Sequence, residues 1–145
     1  MTVLNVAQRR EKKTEELRRV VAQLREHVPE LYGVMVASID GLAIAHDFPE
    51  EDAERMAAMA ATALGLGNRI TERSNLGELR EAVIYGERGH LVVYSAGSDV
   101  VLVFTGPSRS NLGLMRVEAR AAAVEIKQIL SLDEDEPAEP AGESA

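Results

Sequence analysis

A chain of 145 residues is one domain long, and 46% hydrophobic residues are enough to bury a core; with only 3% aromatics, that core is packed from Val, Leu, Ile, Ala and Met. The absence of cysteine excludes disulfides, thiolate metal sites and cysteine nucleophiles. A net charge of −8 speaks against a nucleic-acid partner, which needs a basic face.

The charge is unevenly spread. Residues 1–27 hold seven Lys/Arg against four Asp/Glu, and residues 131–145 hold six acids and no base. The basic cluster Arg9, Arg10, Lys12 and Lys13 reads as a solvated helix start rather than a membrane or RNA contact. Residues 1–10 carry no apolar signal-peptide core, and no apolar run approaches the roughly 20 residues of a membrane span. The expectation is a cytoplasmic protein with no membrane partner.

Leu17, Val20, Val21, Leu24 and Val28 recur on one helical face, which predicts a first helix over residues 9–27, ended by Val28-Pro29. Residues 32–39 are almost continuously apolar, as suits a strand covered on both faces. Asp40-Gly41 then predicts a hairpin with a type I′ turn into a second strand over 42–46. Asp47 is positioned to cap a second helix that starts with Pro49, Glu50, Glu51 and Asp52 and runs to Ser74.

Residues 79–85, 90–96 and 100–105, parted by glycine-bearing turns, read as a three-stranded meander. A third helix follows from Asn111 to Leu130, with Leu114, Val117, Ala121 and Val124 on one face and Met115, Ala122, Ile126 and Ile129 beside it. Residues 131–145 have six acids, two prolines and too little apolar surface to offset ordering entropy, so a disordered acidic tail is expected. Residues 1–14 are then an extension leading into the first helix, and residues 15–130 form the domain.

The element order is αββαβββα. Strands 32–39 and 100–105 are apolar on both faces, so helices must cover both sides of the sheet. The expected architecture is a three-layer α+β domain with a five-stranded antiparallel sheet. The second helix lies on one face, and the first and third lie on the other.

Groups able to do chemistry are sparse. His27, His46 and His90 stand at element ends, and none has a second His at metal-ligand spacing. Ser38, Ser95 and Ser98 do not sit in a strand–turn–helix nucleophile elbow. Gly65-Leu66-Gly67 lacks the third glycine of a dinucleotide fingerprint and falls inside a helix, and no phosphate-binding G-x-x-x-x-G-K-[ST] loop is present. Neither catalytic residues nor a metal or cofactor site are expected.

The second helix departs from an ordinary core helix. Ala57, Ala61 and Gly65 form a ridge of small side chains that lets another element approach closely, and Met56, Met59, Leu64, Leu66 and Ile70 lie between. One sheet covers only one face of it, which leaves surface for a partner. Strand 79–85, with Val83, Ile84 and Tyr85 and no proline, falls at a sheet edge that natural proteins protect or pair. Pairing with a second copy there is expected to use Ala57, Ala61, Leu64, Gly65, Val83 and Tyr85 in an isologous contact.

Residues 34–44 (VMVASIDGLAI), the Ala/Gly-rich helix after them, 90–96 (HLVVYSA), 100–106 (VVLVFTG) and 111–118 (NLGLMRVE) together resemble the roadblock (dynein light-chain) domain family, in the bacterial branch that includes MglB. The resemblance spans residues 15–130. It implies a roadblock/profilin-like fold, a homodimer, and a surface made by the two second helices. It also implies action beside a small Ras-like GTPase, as activator or localising scaffold, with no catalytic residue of its own. Arg55, Met59, Leu66, Arg69 and Arg73 are then the expected partner-binding residues. A purely structural dimerisation scaffold is the alternative, and a small-molecule sensor domain a further one.

Overall fold

The computed structural model describes residues 3–109 and 111–135. Its elements are α1 (Val6–His27), β1 (Gly33–Ser38), β2 (Ala43–His46), α2 (Glu50–Arg73), β3 (Glu81–Tyr85), β4 (Gly89–Ser95), β5 (Val100–Pro107) and α3 (Leu112–Asp135). The strands form one antiparallel sheet in the order β2-β1-β5-β4-β3. Among the described residues no helix is long and apolar enough to cross a membrane.

The strands alternate between two cores. Val34, Val36, Val92, Tyr94, Leu102 and Phe104 face α1 and α3, whereas Met35, Ala37, Val93, Val101 and Val103 face α2. This is the expected three-layer arrangement, and it follows from β1 and β5 being apolar at consecutive positions. Tyr94 is buried with its hydroxyl near Glu81; burial first, then that carboxylate, pushes its pKa up to about 12.

Helix α1 begins earlier than its apolar stripe announces. The Asn5 side chain accepts from the Gln8 amide at 2.8 Å, and the Gln8 side chain accepts from the Asn5 amide at 2.9 Å. This reciprocal capping box satisfies two amides that the first turn would otherwise leave open. Leu17, Val20, Val21 and Leu24 are buried on the sheet side, as the periodicity predicts.

Asp47 does not cap α2. Pro49 is the N-cap residue, with no side-chain cap bond. The Asp47 carboxylate instead accepts from the Val34 amide at 2.8 Å and from Arg25 Nε at 2.8 Å. The rest of the Arg25 guanidinium donates to the carbonyls of Leu31 and Tyr32. One ion pair therefore ties the end of α1 to the start of β1 and the end of β2. Asp47→Ala leaves the Val34 amide and the Arg25 charge without this partner, and is expected to cost about 1–3 kcal/mol in denaturant titrations.

The β1–β2 turn also differs from the type I′ expectation. Among its residues only Gly41 has positive φ (+92°), and the Gly41 amide donates to the Ser38 carbonyl at 3.0 Å. The loop is thus three residues, 39–41, closed by a left-handed glycine. A Cβ on Gly41 would lie 3.3 Å from Ala58 Cα, so the same glycine lets the hairpin tip rest on α2.

Helix α3 continues past Leu130 to Asp135, into the segment read from sequence as a disordered tail; residues 136–145 lie outside the described residues. Its buried face is Met115, Ala119, Ala122, Ala123 and Ile126. Leu114, Val117, Ala121 and Val124, read from sequence as the principal apolar face, point to solvent. The helix is apolar on two sides, and periodicity alone does not say which side the sheet takes.

Candidate functional site

Helix α2 meets the sheet through very small side chains. Ala53, Ala57, Ala60 and Leu64 share one buried face and pack with Met35, Ala37, Val93, Val101 and Val103. Alanine at three of these four positions brings the helix axis close to the strands. Near its C-terminal end a Cβ on Gly67 would lie 2.8 Å from the Leu79 side chain, which draws the chain leading into β3 against the helix.

The small-residue ridge is therefore divided. Ala57 and Leu64 are 0% and 5% exposed, and both are taken up by this chain's own sheet, so neither is open to a second copy. Ala61 is half-buried at the boundary. Gly65 stands open, with nothing within 4 Å of a Cβ placed on it.

The opposite side of α2 is exposed and carries large apolar side chains among polar ones. Met59, Leu66 and Ile70 are 57%, 56% and 53% exposed. Arg55, Arg69 and Arg73 border them, all exposed, and none has a salt-bridge partner among the described residues. The five sequence-predicted partner residues, Arg55, Met59, Leu66, Arg69 and Arg73, thus fall on one outward face. Thr62 lies among them, its hydroxyl donating to the Ala58 carbonyl.

Strand β3 is an edge strand, paired only with β4. Its register places Val83 opposite Val92 and Tyr85 opposite His90, on the α1/α3 side, and Ile84 opposite Leu91 on the α2 side. Val83 is half-buried against the α1/α3 core, and Tyr85 is 68% exposed. On the α2 side of this edge stand Ala82, half-buried against the α2 core, and Ile84, 53% exposed, which the sequence-derived site leaves out.

Behind this edge lies a buried imidazole. His90 is 5% exposed, with its ring 6.0 Å from that of Tyr85, its Nε2 3.4 Å from Met115 Sδ, and no partner for Nδ1 among the described residues. Burial lowers its pKa below the ordinary 6.5. The folded chain then binds fewer protons here than the unfolded chain once the pH drops below that value. Its contribution to stability is present above the unfolded pKa and is lost as pH falls. Between about pH 7 and pH 5 the melting temperature is expected to fall, with a shallower slope in His90→Phe.

Among the described residues no three His, Cys, Asp or Glu side chains are placed to hold a metal ion. An open depression of about 370 Å³ at the C-terminal end of α2 is lined by Asn68, Thr71, Glu72, Asn75, Gly77 and Glu78.

Comparison with known proteins places this geometry. The profile of the Roadblock/LC7 domain family matches residues 18–105. Three uncharacterized proteins of Methanocaldococcus jannaschii are each 38% identical over 96 residues, 66% of this chain and between 80% and 83% of theirs. A solved Roadblock/LC7 domain from Streptomyces avermitilis superposes with a TM-score of 0.75 at 22% identity, over 79% of this chain and 97% of its own. Myxococcus xanthus MglB gives 0.76 at 19% identity, over 90% and 95%. An MglB solved in a tetrameric arrangement gives 0.73 at 17% identity, over 89% and 93%.

Proposed function

We propose that this chain, which belongs to the Roadblock/LC7 domain family, is a homodimeric regulator or adaptor that binds a small Ras-like GTPase through the outer face of α2. The observation that carries this reading is the row Met59, Leu66 and Ile70, large apolar side chains left in solvent and bordered by three arginines. Apolar anchors ringed by arginine have the make-up of a binding hot spot rather than of an inert surface. The likeness of the fold to MglB supports the same class of role.

Self-association follows from the edge. An open β3 beside an exposed helix face lets a second copy extend the sheet and set the two α2 helices side by side. In this reading the contact uses Ile84 with Ala61 and Gly65, and the outer row Arg55–Arg73 then forms one surface across the pair. The arginines hold and orient the partner through its acidic groups. The chain brings no reaction of its own.

Mixing the chain with a Ras-like GTPase encoded beside it, and measuring complex formation, nucleotide hydrolysis and exchange, tests the proposal. A complex with altered rates is the expected result. A complex with unaltered rates selects the structural-scaffold alternative, and absence of both binding and rate change rejects a GTPase partner.

A further inference from the structure

The outer face of α3 carries a second, separate apolar seam. Leu114, Val117 and Val124 are 43%, 58% and 54% exposed, and Ala121 is exposed between them. The helix's other side, Met115, Ala119, Ala122, Ala123 and Ile126, already fills the core. The seam lies on the opposite side of the sheet from α2, so it is no part of the surface described above.

Its spacing is that of a coiled-coil seam. Leu114 and Ala121 fall at a positions of a heptad, and Val117 and Val124 at d positions. The flanks are charged, with opposite signs. Glu118 and Glu125 occupy the e positions and line the groove against α1. Arg120 and Lys127 occupy the g positions on the other flank. Glu118 also meets His27 Nδ1 at 2.9 Å, which leaves Glu125 as the outward-facing acid.

We infer that this seam receives a second copy of the chain, α3 against α3 in parallel about a twofold axis. In a parallel pair the g flank of one helix faces the e flank of the other, so Arg120 lies opposite the partner's Glu125, and the twofold makes this ion pair twice. An antiparallel pair sets e against e and g against g, which brings acid to acid and base to base. The pattern is complementary to itself in one orientation only, and that is what selects a second copy as the occupant. The seam is short, with Ala121 at one of its two central layers, so it joins copies that are already folded. Because it uses the opposite side of the sheet, it can link α2-paired dimers into larger assemblies. It does not rest on the GTPase reading.

The chain has no cysteine, so Val117→Cys or Val124→Cys introduces a single thiol. A parallel seam puts each introduced thiol opposite its own copy, and each variant is expected to form a disulfide dimer by itself under mild oxidation. In an antiparallel pair a layers face d layers, Leu114 meeting Val124, so cross-linking of Val124→Cys only when mixed with Leu114→Cys is the antiparallel result and overturns the inference. In sedimentation velocity, Arg120→Glu and Glu125→Arg should each weaken the largest species roughly tenfold, as two exposed pairs turn repulsive, and the double variant should restore it. A double variant no better than the singles, or an assembly unchanged by Val124→Glu, also overturns it. Gly65→Leu, on α2, is expected to leave the α3 disulfide intact, so failure of the α2 contact and failure of this one are told apart.

Discussion

Ala57→Leu is expected to destabilise the fold by about 1–3 kcal/mol, whereas Gly65→Leu, further along the same helix, is expected to stabilise the isolated chain by up to about 1 kcal/mol. The two residues belong to one ridge of small side chains, yet they answer to different neighbours. Ala57 is fully buried among Met35, Val93, Val101 and Val103, where three added heavy atoms have no space without moving the helix off the sheet. Gly65 meets nothing within 4 Å, so leucine there improves helix propensity without a clash. If a second copy packs against that side of α2, the same leucine weakens self-association while the subunit itself becomes more stable. Denaturant titration at several protein concentrations separates the two effects, because only association depends on concentration.

The second large effect falls on the exposed row. Leu66→Glu combined with Met59→Glu is expected to lower affinity for the proposed GTPase partner by roughly thirtyfold or more, the consequence of losing about 2 kcal/mol or more at a hot spot. Both side chains are more than half exposed, so the folded subunit should be nearly unaffected. Arg55→Ala and Arg73→Ala should act more weakly, mainly on association rate and its salt dependence, as charges at the rim of a contact do. Comparable loss from the arginines alone would instead point to their direct engagement of a buried anion.

Much of the architecture is legible in the sequence because local and global signals agree. The stripe Leu17–Val20–Val21–Leu24 matches a helix with one covered side, and the continuous apolar runs of β1 and β5 require cover on both faces. The points of departure are those where distant groups compete for a residue. Asp47 has the sequence position of a helix cap, but Arg25 and the Val34 amide hold its carboxylate. Those partners are brought to it only by the fold. In α3, apolar residues on two sides leave two faces equally credible, and packing with α1 decides between them.

The candidate site shows the same division. That α2 has more apolar and small surface than one sheet can cover is readable from composition along the helix. Which residues are left over is not, because a small ridge serves an internal and an external contact alike. The sheet took Ala57 and Leu64 and left Met59, Leu66 and Ile70 outside. On β3 the alternation is visible in the sequence, but only the pairing with β4 assigns Ile84 to the α2 side and Tyr85 to the other. Register is a property of two strands, and one strand's sequence does not contain it.

The most direct test of the central claim is a titration of this chain into a Ras-like GTPase from the same genome in the GTP-bound form, following complex formation by isothermal calorimetry. A saturable complex with two copies of this chain, lost in Leu66→Glu with Met59→Glu and retained in Val124→Glu, is the result expected of a partner bound on the α2 face. Binding that survives the α2 variant unchanged, or no binding by a chain that is folded and dimeric, would contradict it.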